Sequence, residues 1–339
     1  MSQMPRIALR VSGSVPVTEC TEQARAAERA GFTTLWLAEN PFGRGALPAL
    51  TACALVTERI RLGVGVFNPF NRHPTLMAME MATLDELCDG RAVLGIGSGI
   101  KVAQMGLPGH RRIAATRDAI HIVRPLLRGE LVTYDGTMFS TRNVRLEFPL
   151  RRSAMAVFMA AMGDQALRLC GEIADGLMIS NLAPRAFTRR AVEIVARSAA
   201  AAGRASPGET VQYVPCAIDE DGADARQRAK AMVGGMLASF WQSSGTSAAT
   251  LSALRDYNGV DPEKFDHTMR RLEAGEPAPS VIDDALLSQY AIAGTASECL
   301  EQCRAYGAAG VTELGIWFAA SRVLVEIERF GRLLASAPR

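Results

Sequence analysis

Short apolar stretches rich in Val, Ile and Leu alternate along this chain with longer stretches whose apolar residues recur every three or four positions. The first pattern predicts β-strands and the second predicts helices. Strands are predicted at residues 6–11, 33–39, 61–67, 91–96, 156–161, 176–180, 210–218 and 312–318. Helices are predicted at residues 18–30, 47–58, from 74, 113–128, up to 173, 184–202, from 223, and 323–334. Eight strand–helix units are the number in a (β/α)₈ TIM barrel, so we predict a single α/β barrel domain over residues 1–339.

Two segments depart from this simple repeat. Residues 134–152 follow the fourth helix and predict a short hairpin or loop excursion. Residues 237–289 contain patches rich in Ser, Gly and Pro between helical pieces, and they precede the eighth strand. Insertions of this size usually extend from the loops at the C-terminal face of a barrel, where they cover the active end.

The third and fourth predicted strands end in glycine and polar residues. Residues 61–74 read RLGVGVFNPFNRHP, and residues 90–99 read GRAVLGIGSG. Ligands of parallel α/β proteins bind at the C-terminal ends of strands, so these two ends predict the binding side. The glycines of residues 95–99 also resemble part of a dinucleotide-binding loop, which leaves an open Rossmann sheet as the architectural alternative. Glycines that merely complete a barrel strand are a further alternative.

The composition excludes several classes of protein. Of the 339 residues, 48% are hydrophobic and 21% are charged, as in an ordinary globular protein with an ample core. The formal net charge of +2 supplies no strong field for nucleic acid. Residues 1–10 lack the apolar core of a signal peptide, and no apolar run reaches membrane-spanning length. We therefore expect a cytoplasmic protein that binds neither nucleic acid nor membranes.

The cysteines and histidines predict no metal centre. The seven cysteines are scattered and odd in number, which argues against a disulfide framework. Cys299 and Cys303 are four residues apart in a helical pattern, but no histidine is near them, and a structural metal normally needs about four ligands. We predict small buried thiols here. A Gly-x-Ser-x-Gly nucleophile motif is also absent from the sequence.

Several motifs, in the same order along nearly the whole chain, resemble one family. They are LWLAEN at 35–40, GVFNPFNRHP at 65–74, GRAVLGIGSG at 90–99, AAMGDQALRL at 160–169, ADG at 174–176 and AGTAS at 293–297. The chain resembles the bacterial luciferase-like flavin-dependent oxidoreductases, in particular the methylenetetrahydromethanopterin reductase branch. That family usually has an Asp-His or Glu-His pair where this chain has Glu39 and Asn40.

The resemblance implies a redox enzyme in which a flavin-type cofactor carries the chemistry. The cofactor is expected to be coenzyme F-420 (F420), a deazaflavin, or FMN. With F420 the enzyme transfers hydride between the reduced coenzyme and a small organic substrate. With FMN it is a monooxygenase that uses reduced FMN and oxygen. A non-catalytic barrel that binds a flavin is the alternative from another class, because fold alone does not prove function. We expect a homodimer or a higher homo-oligomer.

The resemblance also implies where the cofactor lies. In the family a non-prolyl cis peptide bond at the end of the third strand bulges against the ring, and here that bond joins Gly65 and Val66. The start of the helix at residues 162–165 suits a phosphate, because backbone N–H groups and the helix dipole converge there. A plain N-cap role for Asp164 is the alternative. The expected cofactor-binding residues are Asn40, Gly65, Val66, Asn68, Gly97, Ser98, Gly99, Met162, Gly163, Asp164, Gln165 and Ser180.

Glu39 is the candidate catalytic residue. It ends the second predicted strand, where a barrel places functional side chains, and a carboxyl group there can orient the ring or move a proton. The alternative is that Glu39 caps the following loop or pairs with Arg44. His73 precedes the third helix and is expected to brace the loop there.

Overall fold

The computed structural model describes residues 4–99, 103–107, 109–243 and 246–336. The strands are β1 (Arg6–Ser12), β2 (Thr34–Ala38), β3 (Arg61–Phe67), β4 (Ala92–Ile96), β5 (Val132–Asp135), β6 (Ser140–Val144), β7 (Val157–Ala160), β8 (Gly176–Ile179), β9 (Glu209–Ile218), β10 (Ile292–Gly294) and β11 (Glu313–Phe318). The helices are α1 (Val17–Arg29), α2 (Ala46–Ala54), α3 (Pro74–Leu87), α4 (Arg112–Leu126), α5 (Asp164–Ile173), α6 (Arg185–Ala201), α7 (Gly222–Gln242), α8 (Ala248–Asp256), α9 (Pro262–Glu273), α10 (Ala278–Val281), α11 (Asp284–Tyr290), α12 (Ala296–Ala308) and α13 (Val323–Ser336).

Eight parallel strands form a closed barrel. The order around the ring is β1, β2, β3, β4, β7, β8, β9 and β11, and β9 closes it because β9 pairs with both β8 and β11. The helices surround this ring. The predicted (β/α)₈ TIM barrel is confirmed, and the Rossmann alternative is wrong because a Rossmann sheet is open.

Local sequence signals explain where several helices begin and end. Gly31 follows α1 with φ +84°, a left-handed conformation that glycine adopts without a steric penalty. Pro74 opens α3, and the His73 side chain accepts a hydrogen bond from the Thr75 amide. This bond confirms that His73 braces the loop before α3. Thr295 and Glu298 form a capping box at the start of α12.

Residues 290–311 contain a strand that the sequence did not predict. The three-residue strand β10 lies there, paired in parallel with the C-terminal part of β9, and α12 follows it. A strand of three residues is too short to show periodicity, which explains why it was missed. The helical spacing of Cys299 and Cys303 falls within α12, whose start the capping-box residues Thr295 and Glu298 also signal.

The two excursions have regular structure of their own. The first contains the antiparallel pair β5–β6, and Asp118 on α4 accepts hydrogen bonds from the Met138 and Phe139 amides and the Tyr134 hydroxyl. In the second, α7 continues past Leu237 to Gln242, so the insertion begins later than its expected boundary. It then comprises α8 to α11, which pack with α7 around the buried ring of Phe265.

The lumen of the barrel is filled by large side chains that lie against glycines on the neighbouring strand. Trp36 on β2 is paired in register with Gly63 on β3, and a Cβ atom at Gly63 would lie 2.3 Å from the indole ring. Phe158 and Gly176 repeat this arrangement across β7 and β8, with the corresponding distance again 2.3 Å. Because a normal side chain cannot fit, these glycines are required by the rings that face them.

Glu313 holds the N-terminal end of the barrel together. Its buried carboxylate accepts hydrogen bonds from Trp36 Nε1 at 2.8 Å and Thr34 Oγ1 at 3.0 Å. Arg61 donates to the same carboxylate at 2.7 Å and also pairs with Glu209 on β9. One carboxylate therefore joins β11, β2 and β3 at the end opposite the predicted site.

All seven cysteines are buried and unpaired. Within the described ranges, no helix is long and apolar enough to cross a membrane.

We expect Glu313→Ala to destabilise the protein by about 3–5 kcal/mol, because it leaves the Arg61 charge and the Trp36 N–H without their buried acceptor. Urea unfolding followed by tryptophan fluorescence measures this change. Glu130→Ala is the matched control: Glu130 is exposed at the surface and lies 3.9 Å from Arg128, so its loss should change stability by less than about 1 kcal/mol. Equal effects of the two variants would contradict the role of Glu313.

Candidate active site

The candidate site lies at the C-terminal mouth of the barrel, above the large side chains that fill the lumen. At this end three strands present small inward-facing residues: Gly65 on β3, Gly97 just after β4 and Ala160 on β7. The Tyr213 hydroxyl covers Gly65, since a Cβ atom there would lie 1.8 Å from it. The low part of the mouth is therefore the side formed by Gly97 and Ala160, and Trp36 and Phe158 fill the lumen below it.

Val66 projects into the mouth where β3 departs from regular pairing. The peptide bond between Gly65 and Val66 is cis, as expected, and the register between β3 and β4 shifts between Val64 and Phe67. Cβ atoms at Gly95 and Gly97 would lie 3.1 and 3.0 Å from the Val66 methyl groups. A Cβ at Gly97 would also lie 2.8 Å from Ala160 Cβ. Val66, Gly97 and Ala160 thus form one apolar surface.

Asn68 and Gly99 meet at the edge of that surface. The Asn68 Oδ1 atom accepts a hydrogen bond from the Phe70 amide at 3.0 Å, which holds the turn after β3. A Cβ at Gly99 would lie 2.5 Å from Asn68 Nδ2, and Gly99 has φ +55°. Ser98, between Gly97 and Gly99, is half-buried. The structure therefore brings together the predicted residues from the ends of β3 and β4.

Glu39 is directed toward Arg72, not toward Arg44, so the predicted pairing with Arg44 is wrong. Glu39 Oε1 lies 3.2 Å from Arg72 Nη2, and only 11% of the Glu39 side chain is exposed. Arg44 instead donates to the Ser14 carbonyl. Arg72 also pairs with Glu80 and lies over the Phe67 ring, 4.4 Å from its centroid.

The second oxygen of Glu39 has no partner. Glu39 Oε2 and Arg72 Nε are both buried without a hydrogen-bond partner among the residues that the structure describes. Burial raises the pKa of Glu39 above its ordinary value, and Arg72 offsets part of this shift. A carboxyl group with a raised pKa and a free oxygen can hold or release a proton at the mouth.

Asn40 does not extend the Glu39–Arg72 pair. Its Oδ1 atom accepts from the Phe42 amide at 3.2 Å, and its backbone carbonyl accepts from the Gly43 amide at 2.8 Å. Asn40 thus shapes the loop that follows β2. Its half-buried side chain remains at the edge of the mouth.

The predicted phosphate position is the start of α5. Gly163 is the N-cap residue and provides no side-chain cap in the described part of the chain. The N-cap alternative for Asp164 is wrong: Asp164 is the first helical residue, and its carboxylate makes two hydrogen bonds of 2.8 Å with Arg190 on α6. That pair faces the outer surface between α5 and α6, where an arginine-lined groove lies. Gln165 is exposed.

The end of β8 lies beside this helix start. Ala160 at the end of β7 pairs in register with Met178 on β8. Met162 and Ser180, each two residues further along, therefore leave neighbouring strands at the same end of the barrel. Ser180 is half-buried, and Asn181 Oδ1 is buried without a partner in the described ranges. The insertion approaches from above, since a Cβ at Gly163 would lie 3.1 Å from Ala249 Cβ on α8. Residues 162–165 and Ser180 therefore share one corner of the mouth.

Sequence reasoning missed three side chains at the mouth. Arg10 on β1 lies beside the rings of Tyr213 and Trp317, with its guanidinium carbon 5.3 and 5.5 Å from their centroids. The Tyr213 hydroxyl reaches across the lumen to the Gly65 carbonyl at 3.5 Å. The sequence did hold a signal for Arg10. Side chains alternate between the two faces of a strand, so Arg10 lies on the same face of β1 as Ala8, which faces the lumen.

Comparison with known proteins agrees with this geometry. The 5,10-methylenetetrahydromethanopterin reductase of Archaeoglobus fulgidus is 31% identical over 294 residues, which covers 85% of this chain and 86% of that protein. An F420-dependent glucose-6-phosphate dehydrogenase of Beutenbergia cavernae is 37% identical over 169 residues, covering 46% of this chain and 50% of that protein. The solved coenzyme F420-dependent tetrahydromethanopterin reductase of Methanopyrus kandleri superposes with a TM-score of 0.85 at 24% identity, covering 97% of this chain and 98% of that one.

A sequence model described as luciferase-like monooxygenase matches residues 3–313, which is most of the chain. The motif order, the closed barrel and this match agree. The chain therefore belongs to the luciferase-like monooxygenase family and is an oxidoreductase.

Proposed function

We propose that this oxidoreductase transfers hydride between reduced F420 and a small organic substrate. The observation that carries the proposal is the similarity over 85% of the chain to a methylenetetrahydromethanopterin reductase. The shorter match to an F420-dependent dehydrogenase supports the same coenzyme. The mouth of the barrel offers the surface, the polar groups and the helix start that such a coenzyme needs.

The residues at the mouth fit a flat ring with a phosphate-bearing tail. Val66, Gly97 and Ala160 provide a low apolar surface, on which an aromatic ring system can lie. We propose that the tail runs toward Gly163, where the first amides of α5 bind the phosphate. The Asp164 carboxylate is engaged by Arg190, so Asp164 contributes its backbone amide. Ser180 and Asn181 offer additional hydrogen bonds from β8.

The chain's own residues bind, orient and move a proton. Reduced F420, when bound, would supply hydride chemistry toward an electrophilic carbon, and the protein would have to provide a proton for the heteroatom that receives the displaced electron pair. Glu39, with a raised pKa and a free Oε2 atom, is the proposed proton donor or ring-orienting group. Arg72 positions Glu39 and, through its charge, limits the rise of the Glu39 pKa. Large side chains below the mouth keep the lower lumen free of water.

A second candidate is an FMN-dependent monooxygenase that uses oxygen. The description of the matching family supports it. The same surface at Val66 and the same helix start at Gly163 would hold FMN, so the geometry does not separate the two cofactors. Similarity to the F420-dependent relatives favours the deazaflavin.

The cofactor retained on purification tests the proposal directly. We expect the absorbance and mass of F420 after expression in a host that makes it, and tighter binding of F420 than of FMN in parallel titrations. Turnover is then measured with reduced F420 and with reduced FMN, each with and without oxygen. Oxygen-dependent turnover with FMN alone would establish the second candidate. Cofactor binding without turnover under every condition would indicate a non-catalytic barrel.

Glu39→Gln should preserve the fold and lower turnover on the order of tenfold to a thousandfold, because the amide keeps the shape but cannot transfer a proton. Steady-state assays with the retained cofactor measure the loss, and thermal melting checks the fold. Glu58→Gln, an exposed carboxylate remote from the mouth, is the control and should turn over like the unaltered protein. Unchanged rates for Glu39→Gln would remove Glu39 from the site.

The variant Arg72→Met tests whether Glu39 transfers a proton during turnover. The Arg72 charge lowers the pKa of Glu39, so removing that charge should raise this pKa further. The limb of the pH–rate profile that reports Glu39 should therefore move to higher pH, and it should be absent from Glu39→Gln. A limb that stays in place in both variants would assign it to another group.

We also propose that the chain forms a homodimer through α2 and α3. Four large apolar side chains are exposed there: Leu55 at the end of α2 is 71% exposed, and Leu76, Met79 and Leu87 on α3 are 46%, 41% and 45% exposed. The α3 residues recur at spacings of three and eight, so they lie on one face of the helix. Contiguous apolar patches of this kind mark association surfaces.

Light scattering during size exclusion is expected to give the mass of two chains for the unaltered protein and of one chain for Met79→Glu, because the substitution buries a charge in the interface. Leu131→Glu is the control: Leu131 is 63% exposed, lies before β5, and should leave the mass unchanged. A monomeric unaltered protein would refute the homodimer. A dimeric Met79→Glu would place the interface elsewhere.

A further inference from the structure

Arg10 is a charged side chain inside the barrel. It lies in the middle of β1, where Leu9 pairs with Leu35 of β2 and with Ile316 of β11. Its side of the strand is the lumen side, which it shares with Ala8. The guanidinium lies over the rings of Tyr213 and Trp317, at the level where the lumen opens into the mouth.

No acidic group neutralises Arg10. Its Nε atom is buried without a hydrogen-bond partner, and no ion pair joins Arg10 to any carboxylate within residues 4–99, 103–107, 109–243 and 246–336. Burial lowers the pKa of Arg10, the direction expected when a cation loses water and gains no counter-charge. The two ring faces compensate for part of this loss but accept none of the N–H bonds in the guanidinium plane.

The carboxylates nearest the lumen are committed to other partners. Glu313 accepts from Trp36, Thr34 and Arg61 at the N-terminal end. Glu39 pairs with Arg72, which follows β3. Within the described ranges neither carboxylate is an ion-pair partner of Arg10, so the guanidinium is free to pair with a bound anion.

We propose that Arg10 binds an oxyanion of the substrate, and that the substrate of this enzyme is therefore an organic acid anion. The rings of Tyr213 and Trp317 face the guanidinium and leave its edge open, which suits the planar, two-point contact that a carboxylate makes with arginine. This inference rests on the proposed function, because it names the class of substrate for that same mouth.

The position of Arg10 also separates substrate from cofactor. Val66 is on β3, whereas Tyr213 and Trp317 are on β9 and β11 across the ring, and the Tyr213 hydroxyl spans the lumen to the Gly65 carbonyl. A substrate anchored at Arg10 therefore extends from the far wall toward the Val66 surface. Its reacting carbon lies between the anchor and the proposed cofactor position.

The test compares benzoate with benzamide, which has nearly the same shape and no charge, and adds phenyl phosphate as a second, tetrahedral anion. All three are titrated calorimetrically into the full chain, with and without its retained cofactor. We expect benzoate or phenyl phosphate to bind about tenfold or more tightly than benzamide. Arg10→Met should abolish this preference, and Arg10→Lys should keep part of it because the charge remains. Arg142→Met, which removes an exposed arginine from β6, is the control and should retain the full preference.

Melting temperature supplies a second readout. Because Arg10 is a half-buried cation without an ion pair in the described part of the chain, Arg10→Met should melt at the same temperature as the unaltered protein or higher. A lower melting temperature with unchanged probe binding would make Arg10 structural and overturn the proposal. So would equal binding of benzoate and benzamide, or a loss of cofactor affinity in Arg10→Met with probe preference intact.

Probe binding is independent of turnover. Absence of both F420 and FMN binding would refute the proposed function even if benzoate still bound through Arg10. Conversely, an active F420-dependent enzyme without anion preference would refute the role of Arg10 alone.

Discussion

The lumen of this barrel depends on one steric constraint: each large ring within it needs a glycine directly across on the next strand. Trp36 faces Gly63, and Phe158 faces Gly176, at distances that leave no room for a Cβ atom. The rings fill the lower lumen to the density of a protein core. Because that volume is occupied, the low surface available to a ligand is at the C-terminal mouth, where Gly97 and Ala160 lie beside Val66.

Charges are treated differently at the two ends of the barrel. At the N-terminal end, the Glu313 carboxylate accepts hydrogen bonds from Thr34 and Trp36 on β2, and Arg61 on β3 supplies its counter-charge. These hydrogen bonds and the ion pair stabilise the closed ring, because a buried carboxylate without them would destabilise the folded state. At the mouth, Glu39 and Arg10 each keep a buried polar atom without a partner in the described part of the chain. Polar atoms left unsatisfied at a mouth are the groups that a bound ligand can satisfy.

The insertion and the helix start combine at one corner of the mouth. Ala249 on α8 packs so closely on Gly163 that the insertion forms a wall beside the first turn of α5. A phosphate at those amides would be partly shielded from water, which strengthens its interaction with the helix N-terminus. In the proposed arrangement, the cofactor tail, its reactive ring and the Arg10 anchor would occupy three separate positions around the rim.

The sequence by itself determined the eight strand–helix units of the barrel and the glycines at the ends of β3 and β4, and it predicts the binding side. Each of these follows from local periodicity or from a short motif, so no distant contact is needed to recognise it. The three-residue strand β10 escaped because its length carries no period. Only the tertiary structure decided that Glu39 pairs with Arg72, that the Asp164 carboxylate binds Arg190, and that Arg10 has no counter-charge among the described residues. Each of these contacts depends on side chains that are far apart in the sequence. Folding into the closed barrel decides which of these side chains come within contact distance, and local patterns in the sequence do not show it.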